Sequence, residues 1–205
     1  MSSNDLTTKE TIINATKQVL KQKGNATIKD IADAAFVNIA AINYHFGSKD
    51  NLITIVISEM VKGLRDEVAK LIHKRVETKD DFDILMTNLV NVVFQFAEEN
   101  IGIVSYSFVQ IATEPTTSNV LVEFFLQDEE FLSLIINSLQ SIFPDASYET
   151  LFAKYLVLFS SFVVPFFLNF SITTQNTNIP KSELAKYVDQ FKGAYIAELR
   201  SFLTI

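Results

Sequence analysis

Apolar residues recur at spacings of three and four along almost the whole chain, a period that suits helices and excludes half-buried strands. Five glycines and four prolines in 205 residues are also too few for a turn-rich all-β protein. The expected fold is all-α, with about nine helices. The first covers about 9–23: Thr7 and Glu10 make a capping-box pattern, Ile12, Ile13, Thr16, Val19 and Leu20 form the buried stripe, and Gly24 ends it. Thr27 and Asp30 open a short second helix ending near Ala35. Asn38 caps a third through about Tyr44, Gly47 breaks it, and Ser48 caps a long helix reaching about Lys74. Five more are expected at about 79–99, 102–113, 117–143, 147–173 and 181–203. Polar or Gly/Pro breaks separate them, among them Glu114-Pro115 and Pro144-Asp145.

Composition narrows the function classes. The absence of cysteine excludes a disulfide framework, thiolate metal sites and a Cys nucleophile. The only histidines, His45 and His73, belong to no spaced acid or metal cluster, and no phosphate-binding loop or hydrolase elbow is present. No enzyme, metal site or cofactor is expected. The run 155–172 carries no charge and has the length of a membrane span, but Pro165, three serines, Asn169 and the lack of a flanking basic cluster favour a buried helix. With no secretory signal at the N-terminus, the expected location is cytoplasmic, without membrane contact. The net charge of −7 hides an asymmetry: residues 1–79 hold 12 basic against 9 acidic side chains, and 80–205 hold 5 against 15. A mildly basic front on an acidic body fits a nucleic-acid contact confined to the N-terminal part.

Residues 28–46 carry a helix-turn-helix pattern. Ile28, Ile31, Ala35, Val37 and Ile42 would make its small core, with Ala32 where the two helices come closest. In such a motif the second helix enters the major groove. With Ile42 and Phe46 turned inward, the other face displays Asn38, Ile39, Ala40, Asn43 and Tyr44. Asn43 can pair with adenine through its amide, and Ile39 or Ala40 can meet thymine methyls. Tyr44, His45, Thr27 and Lys49 are placed to hold phosphates, together with the helix that starts at Ser48. Two short amphipathic helices occur in many proteins, so spacing alone leaves DNA binding open.

The run Val37-Asn-Ile-Ala-Ala-Ile-Asn-Tyr-His-Phe-Gly-Ser-Lys-Asp-Asn-Leu52 closely resembles the signature of TetR-family repressors, in which Tyr-x-Phe and Ser-Lys-acid-x-Leu bracket a glycine. The match covers about residues 8–57. It implies a three-helix DNA-binding domain at 1–48 and a helical ligand-binding and dimerisation domain at 49–205. It further implies a homodimeric repressor that binds a palindromic double-stranded operator and is released by a small-molecule ligand. DNA contacts are implied at Thr27, Asn38, Ile39, Ala40, Asn43, Tyr44, His45 and Lys49. Two departures stand out. Phe36 occupies a turn position where the family usually has glycine, and a bulky residue is strained there if φ is positive. The basic residue common before the first helix is missing.

The body beyond residue 57 reads generically. Leu184, Val188, Phe191, Tyr195, Leu199 and Phe202 form a stripe on the last helix, and the helix before it is apolar nearly all round. A dimer face is expected at Phe159, Phe162, Leu184, Val188, Phe191 and Tyr195, with ordinary intrachain core as the competing reading. Aromatic residues crowd the middle helices. A ligand site, if one exists, is expected among Tyr106, Phe108, Gln110, Phe124, Phe131 and Phe166, for an apolar or aromatic molecule of unknown identity. Pro165 inside its helix leaves the Ser161 carbonyl without its usual partner, which allows a kink there. The alternative function is a helical small-molecule-binding protein without operator binding.

Overall fold

In the computed structural model the described residues are 3–72, 76–104, 106–107, 123–174, 193–195, 197–199 and 201, and no strand occurs among them. They form α1 (Ser3–Lys23), α2 (Ile28–Ala35), α3 (Ile39–Phe46), α4 (Lys49–Ile72), α5 (Lys79–Glu99), a π-helical turn (Glu123–Gln127), α6 (Glu129–Ile142) and α7 (Tyr148–Thr174). Packing divides the chain into two units. Met1–Gly63 with Glu98–Phe124 make the first, and Leu64–Ala97 with Phe125–Ile205 make the second.

In the first unit the stripe expected on α1 is buried: Ile12, Ile13, Thr16, Val19 and Leu20 all face inward. Thr16 is tolerated there because its hydroxyl donates to the Ile12 carbonyl at 2.8 Å. Ile31 and Ile42 are completely buried between α2 and α3, beside Ala32 and Ala35, while Ile28 and Val37 are half-buried. Each fully buried aliphatic side chain contributes about 1.5–3 kcal/mol, so this small core rests on few residues. Helix α1 begins at Ser3, earlier than the capping pattern at Thr7 suggests. Thr7 lies inside the helix, and its carbonyl accepts the Thr11 hydroxyl at 2.8 Å. The other signals act where expected. Gly24 and Gly47 take positive φ after α1 and α3, and the Ser48 hydroxyl accepts the Asn51 amide at 3.1 Å to cap α4.

The second unit buries Leu64 and Val68 of α4, Met86 and Val90 of α5, Phe131 and Ile135 of α6, and Leu151 and Tyr155 of α7. One uninterrupted helix over 117–143 does not form. The chain breaks at Asp128, whose extended backbone and carboxylate cap α6 by accepting the Phe131 amide at 2.8 Å. The same carboxylate pairs with Arg65 at 3.1 Å, and Arg65 also reaches Glu130 at 2.7 Å. A capping carboxylate held by an arginine outweighs the apolar period running through it.

Helix α7 runs past Pro165 to Thr174. Proline has no amide to give the Ser161 carbonyl, and the Tyr195 hydroxyl donates to that carbonyl instead. Among the described residues no helix is long and apolar enough to cross a membrane.

Candidate nucleic-acid interface

The interface is built from the ends of α1 to α4. Thr27 precedes α2 and closes a full capping box. Its hydroxyl accepts the Asp30 amide at 3.1 Å, and the Thr27 amide donates to Asp30 Oδ2 at 3.0 Å. The Thr27 hydroxyl proton also goes to Asp30 Oδ2, at 2.5 Å, so a phosphate can take it only by displacing that bond. Lys23 pairs with the other carboxylate oxygen, Oδ1, at 2.5 Å. Lys23 and Thr27 together hold the exposed Asp30 carboxyl far below the usual carboxylate range. Lys23 therefore places a cation at the start of α2, which the sequence reading did not single out. Its position just before Gly24 and the capping box was the available signal.

Helix α3 presents the face the motif predicts. Asn38 is its N-cap, and Oδ1 accepts the Ala41 amide at 2.7 Å, so this side chain fixes the helix start as well as lying on the exposed face. Ile42 and Phe46 are buried, while Ile39, Ala40, Asn43 and Tyr44 are exposed, Tyr44 to 80%. The Asn43 carbonyl accepts the Gly47 amide at 2.9 Å, and the exposed amide side chain can meet a base edge. His45 is half-buried between aromatic neighbours, 5.1 Å from the Tyr44 ring and 6.2 Å from Phe46, both edge to face. Lys49, in the first turn of α4, lies 3.5 Å from Asp50, a long surface pair that a phosphate can replace at small cost. The eight sequence-derived positions thus lie at the start of α2, along α3 and in the first turn of α4, with Ile39, Ala40, Asn43 and Tyr44 on the exposed face of α3.

Six residues are expected to bind a ligand. Tyr106 is buried in the first unit and Phe131 in the second. Phe108 and Gln110, and the side chains of Phe124 and Phe166, lie outside the described residues. Around Phe131 the second unit gathers an aromatic cluster. Phe125 stands 5.9 Å from Phe131 and 5.3 Å from Phe159, and Tyr155 stands 6.1 Å from Phe159. The Tyr155 hydroxyl donates to the Phe125 carbonyl at 2.6 Å, and burial pushes its phenol well above the usual range. Phe125 and Tyr155 were not among the expected ligand residues, since an apolar run does not reveal which faces meet.

Of the expected dimer face, Leu184, Val188, Phe191 and the side chain of Phe162 lie outside the described residues. Phe159 is half-buried against the second unit's core, and Tyr195 stacks edge-on with Phe94 at 6.0 Å. Among the described side chains of α7 beyond its first turn, the exposed large apolar ones are Leu156 and Val157.

Residues 12–54 match the family model described as bacterial regulatory proteins, tetR family. The chain is 22% identical over 133 residues to YttP of Bacillus subtilis (strain 168), named a probable HTH-type transcriptional regulator. That match spans 64% of this chain and 63% of YttP, just under two thirds of the relative's length. Two solved structures share the fold. One is a TetR-family regulator candidate from Mesorhizobium loti MAFF303099, with TM-score 0.61, 17% identity and coverage of 96% of this chain and 98% of that one. The other is the multidrug binding protein EbrR complexed with imidazole, with TM-score 0.53, 17% identity and coverage of 89% and 93%.

Proposed function

We propose that this chain is a repressor of the TetR family, which binds a palindromic operator as a homodimer and leaves it when a small apolar or aromatic ligand binds. The observation that carries the DNA half is the exposed face of α3, where Asn43 and Tyr44 project while Ile42 and Phe46 anchor the helix beneath. Asn43 reads a base, Ile39 and Ala40 meet thymine methyls, and Asn38 sets the start of the reading helix. Tyr44, His45, Thr27 and Lys49 hold the backbone, which sets register without reading sequence. Residues 1–48, with Lys49 at the start of α4, carry this activity, and 49–205 carry ligand binding and dimerisation in the cytoplasm. The first packing unit reaches further than residue 48, taking in α4 to Gly63 and residues from Glu98 onward.

The aromatic cluster around Phe125, Phe131, Tyr155 and Phe159 supports an apolar or aromatic ligand, as does the fold shared with EbrR, a multidrug binding protein. Exposed Leu156 and Val157 on α7 support a dimer face on that helix. A ligand acts on the operator only if it binds the DNA-incompetent arrangement more tightly, by the coupling free energy.

Lys49→Ala tests the backbone-holding assignment. The variant should bind every duplex more weakly, and the slope of log affinity against log salt should fall by about one phosphate contact. Fluorescence anisotropy on a random-sequence duplex and on a duplex selected with the wild-type protein measures both. A changed preference between the two duplexes would show that Lys49 reads sequence.

A further inference from the structure

Phe36 is the single residue other than glycine with positive φ among the described residues, at φ 55° and ψ 38°. The turn is held by backbone bonds: the Phe36 amide donates to the Asp33 carbonyl at 3.3 Å and the Val37 amide to the Ala32 carbonyl at 3.1 Å. The left-handed conformation is therefore set by the α2–turn–α3 geometry, and any side chain with a Cβ is strained in it. The ring gives nothing back through packing, because Phe36 is 95% exposed. Glycine would relieve the strain and remove an apolar ring from water. A residue that costs the folded protein twice is a candidate for contact with something outside it.

We infer that Phe36 is a further DNA contact, its ring lying against the sugar and base edges of the duplex beside the reading helix. The inference rests on the operator-binding reading above. Phe36 stands two residues ahead of Asn38, the N-cap of α3, and the N-terminal part of a reading helix is the part that meets base edges. It is also close in sequence to the exposed face already described. Phe36, Ile39 at 42% and Tyr44 at 80% are three of the seven large apolar or aromatic side chains exposed among the described residues, and they fall within nine positions. An aromatic ring adds contacts that no phosphate supplies, including apolar contact with a thymine methyl. It releases no counterion, so its share of the affinity is independent of salt.

The test uses the full-length chain and a duplex selected from random sequence with the wild-type protein. Phe36→Gly frees the turn, and Phe36→Asn keeps a residue that tolerates the left-handed region. Both variants should melt at or above the wild-type temperature. Both should bind the duplex about tenfold more weakly, with an unchanged salt slope. Wild-type affinity in both variants would overturn the inference while leaving operator binding intact. A loss confined to self-association in sedimentation, with DNA affinity unchanged, would overturn it too and make the ring a contact between copies. A wild-type protein that binds no duplex would overturn the operator-binding reading itself, and this inference with it.

Discussion

Gly102→Ala should destabilise the first unit by about 3 kcal/mol, at the upper end of what overpacking usually costs. A Cβ built on Gly102 falls 2.1 Å from the Leu20 carbonyl oxygen and 2.9 Å from that of Lys21. Those oxygens belong to the last turn of α1, and the Leu20 carbonyl also accepts the Gly24 amide at 2.9 Å. Backbone stands on both sides of the clash, so no side-chain rotation relieves it. The neighbours Asn100, Ile103, Tyr106 and Ser107 are buried, which ties this stretch firmly to α1. Urea unfolding should show a lowered midpoint, and DNA affinity should fall with the folded fraction. Gly63→Ala is the control: it sits at an exposed position of α4 where a Cβ meets nothing within 4 Å, and a better helix former should add up to about 1 kcal/mol. An unaltered midpoint for Gly102→Ala would mean that α1 and residue 102 do not approach so closely.

The second large effect concerns sequence reading. Asn43→Ala should cost about 1–3 kcal/mol on a selected duplex, because an amide reads adenine through two bonds at once. Random-sequence duplex should bind the variant almost as well as the wild type, since the phosphate contacts remain. Stability should hardly change, as Asn43 is exposed and alanine favours helix. Equal losses on both duplexes would assign Asn43 to the backbone and leave α3 without an amide reader on its central exposed face.

These expectations were legible because the motif is local. Capping residues, a short apolar core and two glycines specify α2, α3 and the start of α4 within about twenty residues, and each signal acts on near neighbours. Phe36 was legible in part: it stands where the resembling family usually has glycine and is strained only if φ is positive, and the turn gives it φ 55°. Thr27 was only partly legible. The sequence shows that it caps α2, but not that its hydroxyl proton is already given to Asp30. The body was harder to read, because its organisation depends on contacts between residues far apart in the chain. Arg65 gathers Asp128 and Glu130 from more than sixty positions away, and that pairing breaks a helix whose apolar period runs on without interruption. Tyr195 lies on an apolar stripe that suits a dimer face, yet its hydroxyl meets the carbonyl that Pro165 leaves open. Periodicity identifies which residues a helix can bury, and long-range pairing decides against what.

The central claim is that α2, α3 and the start of α4 hold a DNA duplex. The most direct test follows wild-type affinity for selected and random-sequence duplexes as salt is raised. The account predicts a linear fall of log affinity with log salt on both, with a slope of several phosphate contacts. It also predicts about a thousandfold or greater preference for the selected duplex. No measurable binding at low salt, or equal affinity for both duplexes across the salt range, would contradict it.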